Sequence, residues 1–407
     1  MKVLLIAYNY TPDNNGGVKR PVAMKRELSK FGIDVSILTH GPLKFEHSDG
    51  VIRVGHDLSQ NNFSNKISKI YRAIDRKVKL FFKIKNTYYD DWRNKCEKSG
   101  DKIINIVKPD VIICSYPPVE CLQLGLFFSK KYNIKLVADY RDPLIDETAE
   151  VLVRDKYPFL FDEYKQLDKD IINSASLISV IAPSMKDYYK NNYGVDSCQL
   201  IPNGYDGYLN KEALKKSHNS PISNEIIRIV YTGTLSYFDK DRSLIEFFSA
   251  IKKGLRESSS FSRLRVDLYG DILLSDIGDN QQLVDTGIIS IKGKMPMEDI
   301  AKIQRDADYL ILLTGTDRKC VATGKIFEYI ISGTPILGLT KNTYAENIID
   351  GTGTGECVNP RDVNLIYLKL MRIIEANFKF SPSIDEIKKF DRKYQMKELA
   401  NLLMNKI

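Results

Sequence analysis

Lys325 and Glu328 stand three residues apart in the segment Thr323-Gly324-Lys325-Ile326-Phe327-Glu328-Tyr329, a spacing that puts an ammonium and a carboxylate on one face of a helix. Gly324 opens that helix, Gly333 ends it, and Pro335 prevents its continuation into the apolar run Ile336-Leu337. A cation at a helix start suits a pyrophosphate, and a carboxylate one turn later accepts hydrogen bonds from two vicinal ribose hydroxyls. Gly324, Lys325, Ile326 and Glu328 are therefore candidate contacts for a nucleoside diphosphate. The plainer reading of the same spacing is a surface ion pair.

Four other segments place reactive side chains where a strand runs out. Tyr231-Thr232-Gly233-Thr234-Leu235 carries an apolar run into a glycine loop followed by Lys240 and Arg242; Gly233, Thr234 and the two cations are phosphate candidates, or the cations are solvated loop charges. Asp139, Arg141 and Asp142 follow Leu136-Val137-Ala138. Two carboxylates and a guanidinium there make a general base with its orienting partner, a binding site for substrate hydroxyls, or an ion pair that pins the loop before Pro143. The loop 8–17 ends in Gly16-Gly17 with Arg20 in the first turn of the next helix, which suits an anion or simply a tight turn. Ile201-Pro202-Asn203-Gly204 reads first as a hinge turn and second as a ligand contact through Asn203.

These loops need a scaffold that delivers strand ends to one place. The unbroken run Val3-Leu4-Leu5-Ile6-Ala7, the helical pattern over 18–31 stopped by Gly32, and a second strand over 34–38 form the first strand, helix, strand unit. Apolar runs at 110–114, 135–138 and 177–181 continue it, and those at 226–231, 264–269, 288–291, 309–313 and 335–339 repeat it after a polar stretch near 205–224. Strands that are apolar on both faces and alternate with helices belong to parallel sheets. The expected class is α/β, with two doubly wound Rossmann-like domains, 1–205 and 206–383, facing a cleft, where open sheets of this kind bind ligands. Residues 384–407 carry apolar positions at helical spacing and should pack.

The 407 residues are 43% hydrophobic and 28% charged, a composition that excludes a disordered or fibrous chain. Six scattered cysteines form no Cys-x-x-Cys pair, so neither a disulfide framework nor a zinc site is expected. No apolar stretch reaches about 20 residues, the length needed to span a bilayer, and Val3-Leu4-Leu5-Ile6-Ala7 is too short for a signal core; the expected compartment is the cytoplasm. Net charge is +8, and residues 63–102 hold twelve Lys or Arg against five Asp or Glu. That segment interleaves Ile67, Ile70, Tyr71, Ile74, Val78, Phe81 and Phe82 with its cations, as a helix lying on an anionic membrane does, or one packed on its own domain. No nucleic-acid motif accompanies the charge.

Taken in order, the Gly16-Gly17 loop, Asp139-Tyr140-Arg141-Asp142-Pro143, Ile201-Pro202-Asn203-Gly204, Tyr231-Thr232-Gly233-Thr234-Leu235 and Lys325-Ile326-Phe327-Glu328-Tyr329 resemble a bacterial sugar-nucleotide glycosyltransferase of the two-domain GT-B architecture, similar to glycosyltransferase family four. The resemblance implies that the second domain holds a nucleotide-sugar donor, with Glu328 on the ribose and Lys325 near the diphosphate. It implies that the first domain receives a glycan or lipid-linked acceptor, and that the last helix crosses back onto the first domain. With cations set to take the diphosphate, transfer without a metal or other cofactor is expected. The chain departs from the family pattern at Thr234 and Asp239, which replace an Arg and a Lys, and at Cys320, which replaces a Glu. Cys114-Ser115-Tyr116-Pro117-Pro118 lacks the family's His, and none of His40, His47, His56 and His218 suggests a site, leaving Asp139 or Asp142 for acid and base work. A nucleotide-sugar epimerase and a non-catalytic nucleotide-sugar-binding subunit remain alternatives.

Overall fold

The computed structural model describes residues 1–13, 16–42, 44–55, 88–145, 158–195, 198–207, 209, 211–215, 226–235, 243–320 and 322–407. They divide into two compact units, one formed by Met1–Asn203 with Arg392–Ile407 and the other by Gly204–Asp391.

The first unit is built on β1 (Lys2–Ile6), β2 (Asp34–Gly41), β3 (Glu46–Ser48), β4 (Val51–Gly55), β5 (Val111–Tyr116), β6 (Lys135–Tyr140), β7 (Ala175–Val180) and β8 (Gln199–Leu200). Their order across the sheet is β3-β4-β2-β1-β5-β6-β7-β8, and every pair is parallel except β3 with β4. The central strands are the unbroken apolar runs, buried along Val3-Leu4-Leu5-Ile6, Val111-Ile112-Ile113 and Leu136-Val137-Ala138, because helices cover both faces. The crossover from β1 to β2 is the helix Lys19–Leu28 followed by a 3-10 turn, Ser29–Phe31, which Gly32 ends in the left-handed conformation at φ 74°. Strands β3, β4 and β8 lack a recognisable apolar run in the sequence: β4 carries Arg53 at its centre, and β8 is two residues long.

The second unit is a six-stranded parallel sheet of β9 (Ile227–Thr232), β10 (Leu264–Tyr269), β11 (Ile289–Gly293), β12 (Tyr309–Thr316), β13 (Ile336–Lys341) and β14 (Gly355–Val358), in the order β11-β10-β9-β12-β13-β14. In both units the strand order reverses direction beside the first strand, β1 in one and β9 in the other. That is the switch point at which ligands of open α/β sheets bind.

The final helix, Arg392–Lys406, belongs to the first unit, where Met396, Leu399, Ala400 and Leu403 share a core with Ala23, Met24 and Leu28. Sequence spacing starts this returning tail at 384; the helix Ile384–Lys388 instead stays in the second unit. Ile387 is buried there, and the rings of Phe390 and Phe327 lie 5.6 Å apart. The first connection likewise passes at Asn203 and Gly204 rather than after 205, because the Tyr205 N–H donates to Phe390 O at 2.9 Å inside the second unit.

Behind β6, an acid is buried among aromatic rings. Asp168, on the helix Pro158–Ser174, accepts hydrogen bonds from Tyr140 OH at 2.7 Å and Tyr189 OH at 3.0 Å. Burial pushes its carboxyl up to about 6, with the two hydroxyl donors opposing the rise. The folded chain therefore holds this proton more tightly than the unfolded chain does, and stability falls as pH rises from the ordinary carboxylate range through 6. Asp168→Asn keeps an acceptor for both tyrosines and removes the charge. Between about pH 4 and about pH 8 the wild-type chain should lose about 2 kcal/mol more unfolding free energy than D168N, since each tenfold difference in proton affinity is worth about 1.4 kcal/mol; urea titration at the two pH values measures it.

Candidate functional site

In the second unit the ends of β9, β10 and β11 converge through glycines. Gly233 N–H donates to Tyr269 O at 2.7 Å and Gly270 N–H to Gly293 O at 2.8 Å. Gly270 has φ 137°, and a Cβ there would lie 1.7 Å from Gly233 O, so the two loops touch backbone to backbone. A Cβ at Gly233 would lie 1.8 Å from Lys325 Nζ. The ammonium is thus seated against the β9 loop, 5.2 Å from the centroid of the Tyr231 ring, although the two residues are far apart in sequence.

The helix Gly324–Tyr329 is fastened in that position from its other end. Tyr329 OH accepts the Thr232 N–H at 3.2 Å and shares a 2.8 Å hydrogen bond with Thr232 Oγ1, which also receives Gln304 Nε2 at 3.2 Å. Glu328 is half-buried one turn after Lys325. Thr323, just before the helix, has a buried hydroxyl with no hydrogen-bond partner among the described residues, which leaves the loop one donor and acceptor short. Ile326, expected among the contacts, is instead core: its side chain is fully buried and its N–H is spent on Thr323 O at 3.2 Å. Gly324 and Thr234 are exposed, and Cys320 is buried. Lys240 and Arg242 lie outside the described residues.

The first unit uses its charges differently. Asp139 is fully buried, and both its oxygens are filled. Arg20 Nη2 donates to Oδ1 at 2.6 Å, Arg20 Nε to Oδ2 at 3.0 Å, Ser179 Oγ to Oδ1 at 2.8 Å and Ser115 Oγ to Oδ2 at 2.8 Å. Burial alone would raise this carboxyl, but the Arg20 charge and the four donors hold it below the usual range. Arg20 Nη1 reaches Ile201 O at 3.0 Å and Pro202 O at 2.9 Å. Asp139, expected for acid and base work, and Arg20, expected at a ligand, are here bonded to each other. They form a buried ion pair tying β6, the first helix and the segment before Asn203 together.

Arg141 is also structural, donating to Gly17 O at 2.9 Å and to the carbonyls of Tyr116 and Pro117; it fastens the Gly16-Gly17 loop to the end of β5. Burial draws its guanidinium down from its ordinary value. Asp142 is exposed at the end of β6. Asn203 is the last residue of the first unit's main segment, its carbonyl receiving Gln395 Nε2 at 3.2 Å.

Two features go unread in the sequence. His40, near the end of β2, has Nε2 2.7 Å from Asp13 Oδ2, and its ring stacks on Tyr8 at 4.5 Å. Glu120, at the start of the helix Val119–Tyr132, is 7% exposed, and burial pushes its carboxyl up to about 7, with Asp90 adding to the rise and Arg93 opposing it. The basic stretch over 63–102 is described only from residue 88 onward; the membrane-facing pattern 67–82 lies outside the described residues. Among the described residues no helix is long and apolar enough to cross a membrane.

No family model matches the chain, and no curated protein matches its sequence. Solved structures do match its fold. A UDP-forming α,α-trehalose-phosphate synthase from Burkholderia vietnamiensis superposes with a TM-score of 0.63 at 12% identity, covering 99% of this chain and 100% of that one. Anabaena HepE, solved with UDP and glucose, gives 0.56 at 12% identity with 99% and 100% coverage. A UDP-N-acetylglucosamine 2-epimerase, so described provisionally, from Listeria monocytogenes gives 0.56 at 11% identity with 99% and 95% coverage. The chain therefore has the α/β fold of two parallel-sheet domains found in GT-B glycosyltransferases.

If the Asp139 carboxylate is structural, Asp139→Asn should lower unfolding free energy by about 3–5 kcal/mol, because Arg20 is left buried without its counter-charge. A urea titration checks this; a base used only in catalysis would leave an inactive protein of unchanged stability.

Proposed function

We propose that the chain is a glycosyltransferase that moves a sugar from a nucleoside diphosphate sugar, a UDP-sugar, to a hydroxyl of a glycan or lipid-linked acceptor in cell-surface polysaccharide synthesis. The observation that carries this reading is the Lys325 ammonium seated against Gly233, with Glu328 one turn further along the same helix. Phosphate oxygens take the ammonium, the Thr323 hydroxyl gains the partner it lacks, and Glu328 accepts from the ribose diol. The UDP-forming synthase and the UDP complex among the fold neighbours support the choice of base.

Negative charge gathers on the departing diphosphate as the bond to the sugar breaks. A cation fixed beforehand by Tyr329 and Thr232 stabilises that charge without having to reorganise, which favours the transition state over the bound donor. The cation removes the need for a metal, and retention of configuration follows the family resemblance. The acceptor side lies on the first unit, on a chain working at the cytoplasmic face of a membrane. The epimerase reading is the second, since one fold neighbour of similar likeness carries that name; an epimerase consumes the donor with no acceptor present, and a transferase does not.

Calorimetric titration with UDP and with uridine separates the two side-chain roles. Lys325→Ala should weaken UDP about 10- to 100-fold and leave uridine within about twofold, since only the phosphates are affected. Glu328→Ala should weaken both about tenfold. UDP affinity unchanged in both variants would overturn the assignment.

A further inference from the structure

At the carboxyl end of the first unit's sheet, the loop after β1 and the end of β2 bring an acid and an imidazole together. Asp13 Oδ2 lies 2.7 Å from His40 Nε2, with 28% of the Asp13 side chain and 23% of the His40 side chain exposed. The imidazole is held on several sides. Its ring lies 15° from parallel to Tyr8 at 4.5 Å; Tyr8 is wedged edge-on by Tyr89 at 4.7 Å and Trp92 at 5.1 Å. The His40 carbonyl accepts from Arg53 Nη1 at 3.2 Å, and the Arg53 guanidinium also reaches Thr11 O. His40 in turn fixes the Asp13 carboxylate through one oxygen, while Oδ1 has no partner among the described residues.

This differs from the Arg20–Asp139 pair, in which every acceptor position is filled and nothing is exposed. An oriented, half-open carboxylate at a sheet's ligand-binding end accepts a hydrogen bond from a hydroxyl and repels a phosphate or a second carboxylate. The Arg53 guanidinium is occupied by the backbone carbonyls of His40 and Thr11.

We propose that Asp13, positioned by His40, is the residue that binds a hydroxyl of the acceptor, and that the acceptor group seated there is a neutral sugar rather than a phosphorylated one. The inference rests on the transferase reading above and names its acceptor class. Asp13 accepts from a hydroxyl next to the one that reacts, so it sets acceptor binding and orientation and has no part in donor affinity. His40 acts through Asp13.

The test measures UDP release from UDP-glucose by the full chain with methyl glycosides of glucose, galactose, mannose and N-acetylglucosamine as acceptors, and with the corresponding sugar 6-phosphates. UDP calorimetry and thermal melts run alongside. The expected result is that a neutral glycoside is used in preference to its phosphate. Asp13→Asn and Asp13→Ala should raise KM for that glycoside about tenfold or more, the loss expected for one hydrogen bond to a charged group. UDP affinity should stay within about twofold and the melting temperature should hold. His40→Gln should raise the same KM less and leave UDP affinity alone, whereas a purely structural role would lower the melting temperature without separating acceptor from donor. Preference for the phosphates, no use of any neutral glycoside by a protein that binds UDP, or an unchanged acceptor KM in D13N overturns the proposal. Failure of the wild-type chain to bind UDP overturns the transferase reading instead.

Discussion

The second unit's site is organised around an ammonium that occupies the space where any other residue at position 233 would carry its side chain. Gly233 is consequently a steric requirement of Lys325, and Lys325 can lie against the β9 loop only because Tyr329, one turn on, is bonded to Thr232 in the same loop. The helix is only six residues long and could not hold such a position by its own propensity. Its packing does so, through buried Ile326, Phe327 and Tyr329. The Tyr231 ring under the ammonium offers a contact worth about 0.5–2 kcal/mol, weaker than a phosphate would provide.

Charged groups at strand ends in the first unit fall into two kinds, separated by whether their hydrogen-bonding capacity is spent. Arg20, Asp139 and Arg141 are spent: carbonyls, hydroxyls and each other satisfy them, and removing one would strand another in a region without water. They hold the loop after β1, the end of β5 and the segment before Asn203 in one rigid frame. Asp13 and His40 sit on that frame with one carboxylate oxygen unfilled. Rigid support beneath and unspent capacity above is the arrangement a binding site requires.

The strands that cross the middle of both sheets are legible because burial on two faces demands unbroken Val, Ile and Leu, as in Val3-Leu4-Leu5-Ile6 and Ile311-Leu312. The helix that sets Lys325 and Glu328 one turn apart is legible because their spacing is local. What escapes the sequence depends on strand order. Arg20 meets Asp139 across 119 residues because β1 lies next to β5 and β5 next to β6, and no local pattern encodes that adjacency. The same holds for Lys325 against Gly233 and for His40 against Asp13, where a lone histidine carries no hint of the acid across the loop. Ile326 stands between two polar residues, and its position in the helix turns its side chain to the core.

Hydrogen exchange of the full chain with and without UDP tests most directly whether the nucleotide lies where Lys325 meets Gly233. Slowed exchange confined to backbone amides of Thr232–Leu235 and Gly324–Tyr329, and absent from the strand ends of the first unit, is the predicted footprint. Protection that appears in the loop after β1 while these two segments exchange at their unliganded rates would contradict the account.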